Sequence, residues 1–272
     1  NLNTMSGNSV SGFSIGIDCF NSGNNIVTDS TITSNTIGIR NCDIIANNTV
    51  KSGIVGIDLG ISGRTIRGNT VGSNAIGMRL TSSNNNLIEE NTITSSGQHG
   101  IHIANDGSFN PSNNNIIQNN IIGSNGESGI FLDRMAGNIT IKNNVISNNK
   151  NGYFSTSSGQ QNLLINNTAS SNLEYGFRAS YFDTLTNNTA SNNTYGIVLS
   201  QGFKNNLTGN VMNANTYNFL TSAFHSFVFS SSVIDTSNTV DGKPIYYLVG
   251  ASNMVIDSST NAGFVAVMDS FN

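Results

Sequence analysis

The acid–base groups that could carry out chemistry are concentrated between residues 99 and 134. His99 and His102 are three positions apart, and Asp133 and Arg134 follow later in this stretch. A histidine near a carboxylate and a cation can transfer protons to and from a sugar polymer. His102, Asp133 and Arg134 are therefore the catalytic candidates if the protein is an enzyme.

Metal-dependent chemistry has less support in the sequence. Several acids in neighbouring segments would be needed to hold Ca²⁺, yet the acids are scattered and Glu89–Glu90 is the one adjacent pair. Two histidines, His99 and His102, are also few for copper transfer. We therefore predict no metal site and no cofactor, with Ca²⁺ as the alternative.

The candidate residues lie in a repeated pattern that must position them. In Ile66–Leu80 an apolar pair leads to Asn and a short β-branched segment, and then to Gly followed by apolar–any–apolar. Successive copies are about 22 residues apart, which is typical of a solenoid. Each copy holds three short Ile-, Val- and Thr-rich runs separated by Asn, Ser and Gly, which favours three strands and excludes helices.

One asparagine recurs in every repeat. We expect its side-chain amides to form a ladder from coil to coil, as identical residues do in stacked strands, and its backbone to adopt the left-handed conformation that sharp bends need. The predicted structural ladder contains Asn48, Asn69, Asn91, Asn120, Asn144, Asn167, Asn188 and Asn210.

These features predict an all-β parallel β-helix of about ten to twelve coils with three parallel sheets. We expect it to be a right-handed parallel β-helix from the usual handedness of parallel crossovers and from family precedent, not from the period. We expect a single domain over 1–272, with regular coils of about 22 residues in 1–222 and divergent C-terminal coils in 223–272. The sequence begins within a repeat, so we expect a fragment of a longer surface protein.

One position of the last strand in each coil should face outward, because its neighbours are apolar. It carries Asp18, Arg40, Asp58, Arg79 and His102 in five coils, and then Phe131, Phe154, Arg178, Val198 and Leu220. The charged part is interpreted as a structural charge ladder or, alternatively, as a surface for a sugar polymer. The apolar part indicates a covered face.

A second outward position carries Tyr175, Tyr195 and Tyr217, which either pack together or offer a platform for sugars. A long loop over 104–115 adds two residues to the surface. The predicted ligand-binding residues are His99, His102, Asp106, Phe109, Phe131 and Phe154.

The two cysteines stand one coil apart. Cys19 and Cys42 are close enough in register for a disulfide across the ladder. The alternative is two free, small apolar side chains. A disulfide would fit an extracellular location.

Composition excludes several partners. The net charge of −4 and the pI near 5.2 argue against nucleic-acid binding. No run of eighteen apolar residues is present, so no membrane insertion is expected within this segment.

The Asn-Thr-Val…Gly-Ile repeats resemble those of pectate-lyase-like β-helix proteins, in particular the carbohydrate-binding and sugar-hydrolase group that includes the NosD-like periplasmic proteins. The stretch NTVDGKPIYYLVG resembles a segment of cell-surface proteins of methanogenic archaea. The resemblance implies the fold and is weak for function, because one scaffold hosts enzymes and binding proteins.

We therefore expect a non-catalytic β-helix module at the cell surface or in the extracellular space. Its role would be structural, as in a surface layer or sheath, or glycan-binding and adhesive. Its partners would be a polysaccharide or glycan, neighbouring copies, or other envelope proteins. The alternative is a polysaccharide-active lyase, hydrolase or epimerase on the same scaffold.

Overall fold

The computed structural model describes residues 3–20, 23–104, 110–134, 136–156, 161–200, 203–222, 231–257 and 259–270. The described residues contain strands and turns and no helix, and they form three long sheets. Each coil contributes one short strand to each sheet, and strands one coil apart pair in parallel. The predicted all-β parallel solenoid is confirmed, with about 11 turns, as counted in the 11-stranded sheet.

The strands follow the three short runs of each repeat. Sheet 1 contains Asn3–Ser6, Asn25–Thr28, Ile44–Ala46, Thr65–Arg67, Leu87–Glu89, Ile116–Gln118, Thr140–Lys142, Leu163–Ile165, Thr184–Thr186, Asn206–Thr208 and Val233–Ile234. Sheet 2 contains Ser9–Ser11, Thr31–Thr33, Thr49–Lys51, Thr70–Gly72, Thr92–Thr94, Ile121–Gly123, Val145–Ser147, Thr168–Ser170, Thr189–Ser191, Val211–Asn213, Thr239–Val240, Lys243–Val249 and Phe264–Met268. Sheet 3 contains Ile15–Asp18, Ile37–Arg40, Val55–Leu59, Ile76–Thr81, Ile101–Ala104, Ser128–Leu132, Asn151–Ser155, Tyr175–Ala179, Tyr195–Ser200 and Tyr217–Ser222.

The core is a column of apolar side chains enclosed by the three sheets. In one coil, Ile66 points inward from sheet 1, Val71 from sheet 2, and Met78 and Leu80 from sheet 3, and none is more than 1% exposed. Because side chains alternate along a strand, Arg79 between Met78 and Leu80 faces the other way. The inward residues thus fix which side chains sheet 3 presents to the outside.

The asparagine ladder runs along the corner between sheets 1 and 2. The amide Nδ2 of Asn120 donates to Oδ1 of Asn144 at 3.0 Å, and Asn144 donates to Asn167 at 3.0 Å. The same Oδ1 of Asn144 also accepts the backbone N–H of Asn120 at 3.0 Å. Each ladder amide therefore satisfies both a side chain and the backbone at a buried bend. The other ladder bonds join Asn48–Asn69, Asn69–Asn91, Asn91–Asn120, Asn167–Asn188, Asn188–Asn210 and Asn210–Asn238.

The expectation that the ladder asparagine itself is left-handed is wrong. The residue immediately before it takes that conformation, as in Asn119 with φ 56° and Asn166 with φ 54°. Gly68 takes the same place before Asn69, with φ 62°. The ladder residue's backbone follows the bend, and its side chain turns inward to the hydrogen bonds.

A second amide ladder, which the sequence analysis missed, lies at the corner between sheets 2 and 3. Asn149 donates to Asn172 at 3.1 Å, and Asn172 donates to Asn193 at 2.9 Å. These residues stand five positions after the first ladder in each coil, as Asn149 does after Asn144. That fixed offset is the signal that could have revealed them.

Glycine leads the coils from this corner into sheet 3, except in the strand Tyr217–Ser222, where Asn218 takes its place. A Cβ built on Gly100 would lie 2.7 Å from the carbonyl oxygen of Gly129 in the next coil, closer than Cβ atoms approach oxygen. The recurring glycine of the repeat is therefore required by the close stacking of backbones rather than by a left-handed turn.

The regular pattern ends after Thr239–Val240. Asp241 and Gly242 form a tight turn with φ values of 48° and 76°. The strand that follows, Lys243–Val249, runs antiparallel to Thr239–Val240, and Phe264–Met268 pairs with it in parallel. In the part of the chain that the structure describes, no helix is long and apolar enough to cross a membrane.

Candidate functional site

The outer face of sheet 3 holds the residues that sequence analysis singled out. Strand pairing places one side chain of each coil in a single column, here called the outer column, because the register is kept from coil to coil. The outer column consists of Asp18, Arg40, Asp58, Arg79, His102, Phe131, Phe154, Arg178, Val198 and Leu220.

The N-terminal part of the outer column is made of ion pairs. Arg79 donates from Nε and Nη2 to the two carboxylate oxygens of Asp58, each at 2.8 Å. Arg40 donates to Asp18, and this hydrogen bond lowers the pKa of the Asp18 carboxyl. The hydrogen bond to Asp58 likewise raises the pKa of Arg79. The charges of these residues are thus largely balanced within the column.

Beyond Arg79 the face becomes aromatic. The aromatic strip consists of His99, His102, Phe131, Phe154, Tyr175, Tyr195 and Tyr217. His99 stacks on Phe131 with ring centres 4.6 Å apart, and Tyr195 stacks on Tyr217 at 5.2 Å. The tyrosines are part-exposed, with Tyr217 at 56%, so their ring edges and hydroxyl groups are available to a ligand.

His102 lies where the ion pairs meet the aromatic strip. Burial, with a smaller contribution from His99, lowers the pKa of His102 to about 4, so the ring is neutral at neutral pH. Neither ring nitrogen has a hydrogen-bond partner among the described residues. Burial also lowers the pKa of His99.

Two of the three catalytic candidates share one groove without forming an acid–base pair. His102 and Asp133 both line the charged groove, a cleft of about 480 Å³ that also includes Arg40, Asn41, Asp58, Gly60, Ile76, Arg79, Thr81 and Ala104. The Asp133 carboxylate accepts the backbone N–H of Arg134 at 2.7 Å instead of bonding to His102. Arg134 itself lines a different cleft.

Two further clefts continue along the same face. The aromatic groove, of about 560 Å³, is lined by His99, Glu127, Ser128, Phe131, Lys150, Asn151, Phe154, Glu174, Tyr175 and Arg178. The arginine pocket, of about 440 Å³, is lined by Arg134, Ser155, Thr156, Arg178, Ser180, Tyr181 and Ser200. Arg178 lines both, so these clefts adjoin in the middle of the sheet.

The structure thus brings together four of the six predicted ligand-binding residues, namely His99, His102, Phe131 and Phe154. Asp106 and Phe109 lie outside the described residues. The sequence analysis did not anticipate the arginine pocket. The signal for it was Arg178 itself, a cation inside an otherwise apolar run of the outer column.

Among the described residues, no group of three or more His, Cys, Asp or Glu side chains is placed to hold a metal ion. Cys19 and Cys42 form a disulfide with an S–S distance of 2.00 Å and Cα atoms 4.8 Å apart. Cys42 stands one residue further along its coil than Cys19 does. The extra residue is Asn41, which lies between Arg40 and Cys42 and has a left-handed backbone with φ 57°.

Comparison with protein families agrees with this architecture. The model described as a right handed beta helix region matches residues 1–116 and 36–168, which together span more than half of the chain. The chain belongs to the right-handed β-helix family. A model of the periplasmic copper-binding protein NosD also matches this β-helix, over residues 108–246. Among curated proteins, a sequence search finds no match to it.

Solved structures with the same β-helix fold include polysaccharide enzymes. The periplasmic alginate epimerase AlgG is 18% identical with a TM-score of 0.64, over 79% of this chain and 61% of that one. The mannuronan C-5 epimerase AlgE4 A-module of Azotobacter vinelandii is 13% identical with a TM-score of 0.63, over 97% and 88%. Pectate lyase Pel9A is 13% identical with a TM-score of 0.54, over 86% and 80%. This β-helix spans about three fifths of the length of AlgG, and at such identities the likeness shows the fold alone.

Proposed function

We propose that this protein is a non-catalytic glycan-binding module that holds a polysaccharide along the outer face of sheet 3. The observation that carries the proposal is the continuity of the aromatic strip with three adjoining clefts on one face. Aromatic rings stack on the apolar faces of sugar rings, while neighbouring polar side chains bind hydroxyl groups. Coils spaced by about 4.8 Å repeat such contacts along an extended chain.

The location that we propose is the cell envelope or the extracellular space. A disulfide between Cys19 and Cys42 supports it, because such bonds persist in oxidising compartments. The names of the similar proteins support it as well, since both NosD and the alginate epimerase AlgG are described as periplasmic.

The absence of an acid–base pair at the candidate residues supports a non-catalytic role. A catalytic histidine is most effective when its pKa lies near the working pH, whereas burial lowers the pKa of His102 to about 4. Asp133, which could orient that ring, instead accepts a hydrogen bond from its own neighbour Arg134.

Binding can be measured by calorimetric titration with alginate, polygalacturonate and a neutral β-glucan. We expect at least one polymer to bind, and Phe154→Ala or Tyr195→Ala to weaken it by about tenfold, because each ring contributes on the order of 1 kcal/mol. Phe13→Ala is the matched control, since Phe13 is 59% exposed and lies outside the aromatic strip. Equal binding by all three variants would contradict the proposed face.

A second candidate function is a polysaccharide-active enzyme, which is favoured by the shared groove of His102 and Asp133 and by the similar epimerases and lyase. Incubation with alginate or polygalacturonate, with and without Ca²⁺, tests it. Turnover that disappears in Asp133→Asn would replace the binding proposal with the enzymatic one.

A structural role in a surface layer or sheath is the remaining form of the proposal. It requires that copies of the chain associate with one another and that no polysaccharide binds. Sedimentation at increasing protein concentration, beside the titrations above, separates this role from glycan binding.

A further inference from the structure

Arg178 occupies an unusual place in the outer column. It lies between Phe154 and Val198 in the strand pairing, and its guanidinium carbon is 4.4 Å from the centre of the Phe154 ring. Its Nη1 donates to the backbone oxygen of Ser155 at 3.1 Å, and its Nη2 donates to Oγ of Ser200 at 2.6 Å. The planar fork is therefore held in one orientation by the two flanking coils.

The other part-buried arginines of the described residues have carboxylate partners. Arg40 pairs with Asp18, Arg64 with Asp43 and Arg79 with Asp58. Within the residues that the structure describes, no carboxylate lies within ion-pair distance of Arg178. Burial accordingly lowers the pKa of Arg178, whereas the partner Asp58 raises that of Arg79.

An anion bound next to Arg178 would give it the negatively charged partner that the other part-buried arginines already have. Removing a cation from water costs free energy that a buried or ligand-borne anion can offset. The guanidinium fork matches the two oxygens of a carboxylate or the face of a sulfate, and such charge-assisted bonds are stronger than neutral ones.

The arginine pocket around Arg178 has the chemistry of an anion site. Hydroxyl-bearing side chains, including Thr156 and Tyr181, line it beside the guanidinium, and Arg134 brings a second cation. The acid at its rim is Asp133, whose Oδ1 accepts from the backbone N–H of Arg134 at 2.7 Å and lies 3.5 Å from the Thr156 hydroxyl.

We propose that the arginine pocket binds the anionic group of an acidic saccharide, a carboxylate or a sulfate, through Arg178. The inference rests on the proposed glycan-binding function for the source of the anion, and it adds that the preferred glycan is acidic. The pocket should bind a free sugar acid more weakly than it binds the acidic polysaccharide. A monosaccharide has no further sugar rings to contact the aromatic strip.

The test is a nuclear magnetic resonance titration of the protein with D-glucuronate, sodium sulfate and D-glucose. The wild type is expected to saturate with glucuronate or sulfate and not with glucose. Arg178→Gln should weaken that binding by at least tenfold, since charge-assisted hydrogen bonds are stronger than neutral ones. Arg67→Gln is the matched control, because Arg67 is exposed on sheet 1 and should leave the affinity unchanged.

The three ligands distinguish a carboxylated from a sulfated glycan. Together with the polysaccharide titrations, they also separate failure of the anion site from failure of the proposed glycan-binding function. Saturation by glucuronate indicates a carboxylated glycan, and saturation by sulfate alone indicates a sulfated one. Equal binding by wild type and a folded Arg178→Gln, or no saturation of the wild type, overturns the anion site. Binding of a neutral β-glucan in preference to alginate would keep the proposed function and overturn this inference. If the protein binds glucuronate but binds no polysaccharide, the anion site is kept and the proposed glycan-binding function is overturned. Arg178→Lys, which keeps the charge and loses the fork, should bind with intermediate affinity.

Discussion

The two halves of the sheet 3 face share one backbone register and differ in what they leave unpaired. In the N-terminal half, Asp58 and Arg79 bind each other through two hydrogen bonds of 2.8 Å. In the C-terminal half, stacked tyrosines and Arg178 occupy the equivalent strands, and no carboxylate of the described residues pairs with Arg178. The regular stack thus supports a self-contained half and a half whose groups are available to a ligand.

The difference shows that position on a solenoid face does not decide function by itself. The same outward site stabilises neighbouring coils when adjacent residues have opposite charge, by roughly 0.2–1 kcal/mol per exposed pair. We propose that it becomes a binding surface when adjacent residues are aromatic or when a cation has no carboxylate partner. Sequence comparison of consecutive coils, rather than of isolated motifs, is what reveals the change.

The largest expected effect concerns the disulfide, which is confined to the N-terminal half. Reduction, or the double substitution Cys19→Ser and Cys42→Ser, should lower the free energy of unfolding by about 3 kcal/mol, as expected for a loop of this length. The loop closes over 23 residues. Urea unfolding measures the loss, and glycan affinity at the distant C-terminal half should not change. Recovery of both cysteines as alkylatable thiols from oxidised native protein would refute the bond.

The second-largest expected effect concerns a buried acid in the interior of the C-terminal half. At the corner between sheets 3 and 1, the N-terminal half has the amides Asn86 and Asn115 and an acid, Asp43, that pairs with Arg64. In the C-terminal half the acid at this corner is the fully buried Asp183. Asp183 accepts from Asn162 Nδ2 at 2.9 Å and from the backbone N–H of Ser180 at 3.0 Å. Burial raises the pKa of Asp183 to about 6 despite these bonds, which oppose the shift.

A raised folded-state pKa means that the folded protein binds this proton more tightly than the unfolded chain. The stabilising contribution of Asp183 is therefore complete below its unfolded pKa near 3.8 and is lost as the pH rises through about 6. The change is on the order of 2–3 kcal/mol. His99 and His102, whose pKa values are lowered, act in the opposite direction over part of this range.

The Asp183→Asn variant isolates this contribution from that of the histidines. Relative to wild type, the variant should become more stable as the pH is raised from 4 to 7.5, because it carries no buried charge at the higher pH. Urea unfolding of both proteins across that range gives the difference. A stability difference that is independent of pH would show that Asp183 titrates normally.

The smallest effect tests the self-contained half directly. Asp58→Asn removes the carboxylate partner of Arg79 and should lower the free energy of unfolding by about 1–2 kcal/mol, since a part-buried charge then loses its countercharge and one of its two acceptor oxygens. The double variant Asp58→Asn with Arg79→Gln should recover part of that loss. Thermal or urea unfolding of the two variants decides the matter, and equal stability of wild type and Asp58→Asn would mean that the pair contributes nothing.

The sequence predicted the architecture well because the repeat specifies it several times over. The Ile, Val and Leu positions define the inward face, and the Asn column from Asn48 to Asn210 defines one corner, so the register of the outer column followed directly. It did not predict which residue turns left-handed, because Asn119 and Asn120 are the same amino acid and only the structure separates their roles.

The candidate site was less predictable for a different reason. The order of side chains along the outer column could be read from the repeat, but pairing could not. Asp133 bonds to Arg134 rather than to His102, and Arg178 reaches Ser155 and Ser200 in the flanking coils. Both pairings depend on side-chain conformations, which the sequence does not specify.

The most direct test is to compare the affinity of both halves for one polysaccharide. Calorimetric titration of alginate, polygalacturonate and a neutral β-glucan into wild type, Tyr195→Ala in the C-terminal half, and Arg79→Gln in the N-terminal half measures it. Tyr195→Ala is expected to weaken binding of the preferred polymer by about tenfold, and Arg79→Gln should leave it within about twofold, because Arg79 is already bound to Asp58. Loss of binding in Arg79→Gln with full retention in Tyr195→Ala would contradict the assignment of the C-terminal half as the binding surface.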